Sequence, residues 1–353
     1  MEPLALAARD AGFDVSFFVT GMHLMARYGM TKIEVHRLTG VKVFEHQNQQ
    51  EDDPQDMVLA STITGFSNFI AKQNPDLVIV HGDRVEALAC ALVCATNYVR
   101  CAHIEGGEVS GTIDEIFRHC NTKLSACHFV SSETAKNRVL ALGEVPESVF
   151  VIGSPELDTH AAPSGVTINQ VRDYYDIAFD DYAIVTFHPV TSEQDTMGDQ
   201  ARALFDRLVA SGRNFVVILP NNDPGADQIL KVIDNLPENR FRVLPSMRFA
   251  YFSELLKNAA AHIGNSSVGV REAPFIGLPS LDIGTRQNKR SSAKSITSCA
   301  AFDGDVIDGF LLKTWGNRLQ SDSGFGAGSS AARFVTVLNT PDFWSQPLQK
   351  EFR

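Results

Sequence analysis

Short apolar runs alternate with amphipathic stretches along almost the whole chain, and this alternation constrains the fold more than any single residue does. Strands are predicted over 15–20, 77–80, 101–104, 128–130 and 149–152, with helical stretches near 56–73, 84–97, 113–125 and 132–142 between them. The second half repeats the pattern. Residues 183–187, 215–219, 241–244, 262–264 and 280–283 read as strands, and helices fit near 196–211, 225–236, 249–259, 267–276 and 304–319. Strands that alternate with helices build parallel sheets covered on both faces. Two such runs predict an α/β chain of two Rossmann-like, doubly wound domains facing a cleft.

The break falls where Gly153-Ser154-Pro155 ends a strand and Ala161-Ala162-Pro163-Ser164-Gly165 reads as a linker. The expected domains are therefore 1–157 and 166–335. A tail over 336–353, polar and extended after a helix at 331–338, is expected to pack back on the first domain. The chain opens on a helical stretch, 2–11, before its first strand. A doubly wound domain ordinarily starts with a central strand whose following loop meets the ligand. Without that strand its neighbours lack backbone partners. The expectation is that the true start lies upstream or, failing that, that another segment fills the gap.

Composition narrows the function. Lys and Arg total 31 against 42 Asp and Glu, a net charge of −11, so the chain is a poor generic binder of nucleic acid or anionic membrane. Any anionic ligand must be met by a local pocket. No apolar run approaches the ~20 residues that span a bilayer, and the N-terminus carries no signal-peptide pattern. The six cysteines form no CxxC pair and fit no zinc template. They read as small core residues in a reducing, cytoplasmic setting. No metal cage is evident. Gly324-Phe-Gly-Ala-Gly328 lacks the GxGxxG spacing and follows no clear strand, so no dinucleotide cofactor is assigned.

The densest polar constellation follows two apolar strands of the first half. One runs into His81-Gly82-Asp83-Arg84, the other into Glu105-Gly106-Gly107-Glu108, and Ser110–Asp114 then leads into a helix bearing Arg118 and His119. Ligands of open α/β sheets bind beyond the carboxyl ends of strands. Three carboxylates, Asp83, Glu105 and Asp114, are placed to share one pocket and to disfavour one another's ionisation. That supplies a general acid beside a general base. Asp83 also suits a helix cap, and Asp114 a helix's first turn. Glu105, between a buried strand and two glycines, has no such ordinary role.

In the second half, the strand ending at Gly264 runs into Asn265-Ser266-Ser267 and a predicted helix. Ser266 or Ser267 falls at its N-cap, a candidate phosphate site, though also an ordinary βα turn. Glu272, one turn on, can accept hydrogen bonds from ribose hydroxyls or simply face solvent. His188 precedes Pro189 at a strand end, where it can donate to phosphate or act as an acid. Asn221 ends the next strand, and Arg286 follows Gly284-Thr285 as a partner for phosphate or ribose.

Taken in order, His81-Gly-Asp-Arg84, His103-Ile-Glu-Gly-Gly-Glu108, Ser110-Gly-Thr-Ile-Asp114, Arg118-His119, His188-Pro189, Gly264-Asn-Ser-Ser267, Val270-Arg-Glu272 and Gly284-Thr-Arg286 make the whole chain resemble UDP-N-acetylglucosamine 2-epimerases. It looks most like the hydrolysing branch of bacterial sialic-acid synthesis and the epimerase half of the bifunctional animal enzyme. The resemblance implies a GT-B fold with UDP mainly against the second domain. Ser266 and Ser267 would bind its phosphates and Glu272 its ribose, while Arg286, Arg84 and His188 would contact UDP or its leaving phosphate, with Asn221 beside them. Asp83, Glu105 and Asp114 would do acid/base work on the sugar in a pocket shaped by His103 and Arg118. It implies no cofactor, no metal and a homodimer or homotetramer. Family members open on a strand and a Gly-Thr-Arg-Ala-Asp-type loop that this sequence does not contain. Competing readings are a hydrolysing epimerase of UDP-N,N′-diacetylbacillosamine on the legionaminic-acid route, a non-hydrolysing epimerase, a GT-B glycosyltransferase, and an inactive nucleotide-binding protein.

Overall fold

A computed structural model describes every residue except 52, 111–113 and 352–353. Its chain divides into two compact units. The first comprises Met1–Glu108, Asp114–Asp158 and the segment from Gly326 onward; the second is built from Thr159–Phe325.

In the first unit, α1 (Glu2–Asp10), β1 (Ser16–Val19), α2 (Lys32–His36) and β2 (Lys42–Glu45) come first. They are followed by α3 (Gln55–Gln73), β3 (Val78–His81), α4 (Val85–Thr96), β4 (Cys101–Ile104), α5 (Asp114–Leu124), β5 (Cys127–Val130), α6 (Glu133–Ala141) and β6 (Val149–Val151), and α7 (Glu156–Ala161) then runs into the second unit at Thr159. Strands β3-β4-β5-β6 form one parallel sheet in chain order, and β1-β2 form a separate parallel pair. No described strand joins the two sheets. α3 shows why these segments are helical: its buried Val58, Thr62, Phe66 and Ile70 recur every four residues, one stripe down one face. Phe66 and Ile70 of that stripe pack with Val80, Cys94 and Cys101. Leu4, Ala8, Phe334, Leu338 and Phe343 pack with Ala102, Ile104 and Phe129.

The second unit contains α8 (Ile168–Tyr175), β7 (Ala183–Thr186), α9 (Met197–Ala210), β8 (Phe215–Ile218), α10 (Ala226–Ile233), β9 (Phe241–Leu244) and α11 (Phe249–Asn258). β10 (Ala261–Gly264), α12 (Glu272–Phe275), β11 (Ser280–Ile283), β12 (Ile296–Cys299) and α13 (Gly304–Lys313) complete it. Its six parallel strands run β12-β11-β10-β7-β8-β9. Ala183 and Val185 face one apolar core while Ile184 faces the other, and Phe215, Val216 and Val217 alternate likewise. A strand buried on both faces reads as a near-continuous apolar run. Strand order reverses between β7 and β10, which leaves a crevice where their outgoing loops part.

Two expectations are corrected. The stretch over 267–276 is not one helix. A 3-10 turn at Ser267–Gly269 precedes the four-residue α12, because Pro274 has no N–H to give the Val270 carbonyl. α7 ends at Ala161, where the expected linker begins. The tail is not wholly extended either: α14 (Ser330–Leu338) is followed by α15 (Pro341–Ser345), whose Phe343 is fully buried and stacks on Phe129 at 5.9 Å. The six cysteines are free thiols, with Cys94, Cys101 and Cys127 buried. No helix among the described residues is long and apolar enough to cross a membrane.

Candidate functional site

In the first unit, β4 hands directly to Glu105. This residue holds φ at +72°, a left-handed conformation rare for anything but glycine, Asn or Asp. Such strain costs on the order of 1–3 kcal/mol and persists only where its surroundings impose it. The surroundings here are tight: a Cβ at Gly107 (φ +77°) would sit 2.1 Å from the Ala135 carbonyl oxygen on α6. Glu105 is thus folded back at the strand end, 7% exposed, with Oε1 3.5 Å from His81 Nε2.

His103 supports this loop from beneath. Its Nε2 lies 2.8 Å from the Gly82 carbonyl oxygen and its Nδ1 3.1 Å from Thr122 Oγ1. A carbonyl only accepts, so Nε2 carries the proton and Nδ1 accepts from the threonine hydroxyl. Asn121 Nδ2 donates to the same Gly82 carbonyl at 3.1 Å. Burial pushes His103 down to about 3, so the ring is neutral in ordinary buffers. His103 is fully buried with both nitrogens engaged, and it positions the Gly82-Asp83 turn.

Arg118, 1% exposed, reaches out of α5 to form an ion pair with Asp83 and to donate to the Glu108 carbonyl at 3.2 Å. Glu108 also accepts from the Ser131 hydroxyl. The carboxylates therefore do not simply crowd one another: Asp83 has a guanidinium against it, and Glu105 has an imidazole. Asp114 opens α5 one turn before Arg118, so the two share a helix face. Gly111, Thr112 and Ile113 of the Ser110–Asp114 motif lie outside the described residues. Arg84 stands at the N-cap of α4, its Nε 3.9 Å from Glu86.

The second unit builds its crevice from amides. Asn265, 1% exposed, was not singled out by the sequence, yet it ties the two diverging loops together. Its Oδ1 accepts from the His188 backbone N–H at 2.7 Å, and its Nδ2 donates to the His188 carbonyl at 2.8 Å. Its own carbonyl accepts from Arg286 Nη1 at 3.3 Å and Gln287 Nε2 at 2.9 Å. Gly264 makes this proximity feasible: at φ +135° a Cβ would stand 2.1 Å from the Thr186 carbonyl oxygen. His188 Nδ1 accepts from the Asn221 backbone N–H at 3.1 Å, which leaves the proton on Nε2 as a donor. The Asn221 side chain donates to Asp223 at 2.6 Å.

Ser266 caps the 3-10 turn, its Oγ accepting from the Val268 N–H at 3.4 Å, and Ser267 opens the turn. No long helix stands behind these serines. Attraction for an anion must come from their N–H and hydroxyl groups, from His188 and from Arg286, rather than from a helix dipole. Asp282 on β11 is pushed up to about 7 by burial, with Arg286 pulling it back. Glu272 is 4% exposed, and its Oε2 meets His160 Nε2 at 2.6 Å. His160 is a second residue the sequence did not mark. The structure thus groups Asp83, Glu105, Asp114, His103 and Arg118 at the strand ends of the first unit. It groups His188, Asn221, Ser266, Ser267, Glu272 and Arg286 around the switch point of the second.

Comparison with known proteins gives the family. The family model described as UDP-N-acetylglucosamine 2-epimerase matches residues 5–339. A UDP-N-acetylglucosamine 2-epimerase of Neisseria meningitidis serogroup B is 39% identical over 352 residues, covering 99% of this chain and 93% of that protein. A UDP-N,N′-diacetylbacillosamine 2-epimerase (hydrolyzing) of Legionella pneumophila is 29% identical over 355 residues, covering 99% and 94%. The crystal structure of a UDP-GlcNAc 2-epimerase from Neisseria meningitidis bound to UDP-GlcNAc shares the fold with a TM-score of 0.72 at 16% identity, covering 92% of this chain and 99% of that one.

Proposed function

This chain belongs to the UDP-N-acetylglucosamine 2-epimerase family, and we propose that it is a hydrolysing member, converting UDP-N-acetylglucosamine to N-acetylmannosamine and UDP. The observation that carries the reading is the strained, buried Glu105 beside the Arg118–Asp83 pair. Strain at a carboxylate costs stability, and it is found where chemistry needs the group. Support for hydrolysis comes from the Legionella relative, a hydrolysing enzyme by name that matches nearly the whole chain.

The C2 proton of an acetamido sugar is weakly acidic, so its removal needs a good leaving group at C1. UDP is one when preorganised donors meet its developing charge. His188 Nε2–H, Arg286 and the Ser266-Ser267 turn supply those donors. A carboxylate among Asp83, Glu105 and Asp114 takes the C2 proton as the C1–O bond breaks, giving 2-acetamidoglucal. A proton delivered to the opposite face of C2, with water adding its hydroxyl at C1, completes N-acetylmannosamine. Elimination and hydration consume no redox equivalent. Arg118 holds Asp83 in place, and Glu272 holds the ribose. The product fits sialic-acid-type sugar synthesis, and the working form is a homo-oligomer.

A second reading, hydrolysis of UDP-N,N′-diacetylbacillosamine, is favoured by the same Legionella relative, but the Neisseria relative shares more of the sequence, 39% against 29%. Offering the purified protein each nucleotide sugar separately, with products read by NMR, decides between them. Free N-acetylmannosamine and UDP from the first substrate are expected. Turnover of the diacetylated sugar alone would replace this reading with the second.

A further inference from the structure

We infer that His160 is a positioning residue for nucleotide binding, holding the Glu272 carboxylate so that its second oxygen is presented to the ribose of the bound nucleotide; this rests on the proposed role of Glu272. His160 lies on α7, in a stretch that from sequence reads as part of the linker region, and is 3% exposed. Three side chains of the second unit, on α11 and α12, fix its ring. Nε2 meets Glu272 Oε2 at 2.6 Å, Nδ1 meets Ser253 Oγ of α11 at 2.9 Å, and Phe249 packs edge-on at 5.4 Å between centroids. A carboxylate only accepts, so Nε2 carries a proton toward Glu272. Nδ1 then accepts from the Ser253 hydroxyl or, in a protonated ring, donates to it.

The chain of contacts has one open end. Glu272 Oε2 is taken by His160, whereas Oε1 takes no hydrogen bond from any described residue. Glu272 is 4% exposed and follows the Ser267 turn directly, with the Arg271 N–H bonded to the Ser267 carbonyl at 2.9 Å. A buried carboxylate that offers one oxygen in a fixed direction is suited to a hydroxyl pair next to a phosphate. A rotatable one would lose part of its bond strength to ordering. His160 removes that freedom before the ligand arrives.

The two amide substitutions separate positioning from packing. Gln places an N–H₂ where Nε2 stood and can still donate to Glu272. Asn places one near Nδ1 and cannot reach. UDP and 2′-deoxy-UDP are titrated calorimetrically into the full-length protein and into His160→Gln and His160→Asn, with circular dichroism confirming that each is folded. The wild type should bind UDP about tenfold more tightly than the deoxy compound, the worth of one hydrogen bond to a charged group. His160→Gln should keep most of that preference, and His160→Asn should bring the ratio close to one. Equal loss in both variants, or an undiminished ratio in His160→Asn, overturns the positioning role. A wild type that binds UDP without preference overturns it through Glu272. A wild type that does not bind UDP overturns the nucleotide reading itself.

Discussion

The two units use the same scaffold and hold their loops by opposite means. Each buries a neutral histidine in a middle strand, His103 on β4 and His262 on β10, and burial pushes both down to about 3. His103 is bonded to the Gly82 carbonyl and Thr122, and His262 to Thr186 at 2.6 Å and Ser280 at 3.3 Å. Above these buried rings the units diverge. The first carries ions, Asp83 with Arg118 and, away from the loop, Glu144 with Lys123 and Lys350, while imidazoles stand against Glu105 and Glu144. The second relies on Asn265, Gln287 and backbone groups, with Arg286 donating to Asn265 and Arg290 to Gln287. Ions in fixed geometry suit proton transfer. Neutral donors suit an anion that arrives with its own charge and must leave again.

The sharpest way to break that contrast is to neutralise the first unit. Asp83→Asn, Glu105→Gln or Asp114→Asn should each lower kcat by about 10³-fold while UDP affinity stays within about twofold. Wild-type-like turnover in all three would remove the carboxylates from the chemistry. In the second unit, Asn265→Ala deletes both bonds to the His188 backbone and leaves buried groups unsatisfied. It should cost about 3 kcal/mol in urea unfolding and weaken UDP binding as well. An unchanged midpoint would show that the loops do not depend on this bridge.

Charge also predicts a pH signature for the first unit. Burial pulls Glu144 up, but hydrogen bonds from His128, Lys123 and Lys350 outweigh it and hold the carboxyl at about 2. A carboxyl depressed on folding contributes stability above its unfolded pKa of about 4.5 and loses it as pH falls through about 2. Glu144→Gln should therefore cost about 2–3 kcal/mol at pH 7 and progressively less toward pH 2, read from unfolding midpoints across that range. A cost independent of pH would mean the group acts by packing alone. The smallest effects belong to the anion cradle. Arg286→Ala should weaken UDP about tenfold and Ser267→Ala about threefold, both by calorimetry. Unchanged affinity in both would place the phosphates elsewhere.

Much of the scaffold was legible because buried parallel strands read as near-continuous apolar runs, and the segments 77–80, 183–187 and 215–219 announce themselves that way. β2 and β12 did not. Lys42-Val-Phe-Glu45 and Ile296-Thr-Ser-Cys299 end their sheets, where one flank need not be apolar. α8 left a readable sign, the capping box of Thr167 and Gln170, which the apolar pattern around it obscured. The charged groups of the site stood out because Asp, Glu and Arg after a buried strand demand a reason. Asn265 and His160 did not stand out, since their work lies in what they touch across 77 and 112 residues of chain. Nothing periodic marks such a pairing.

The proposed work of the first-unit carboxylates is exchange of the C2 proton of the UDP-sugar. It is tested most directly by turning over UDP-N-acetylglucosamine in deuterium oxide and reading the products by proton NMR. Free N-acetylmannosamine carrying deuterium at C2, with one UDP released for each sugar, is the predicted result. Free sugar that retains its original C2 hydrogen, or UDP-N-acetylmannosamine with no free sugar, would contradict it.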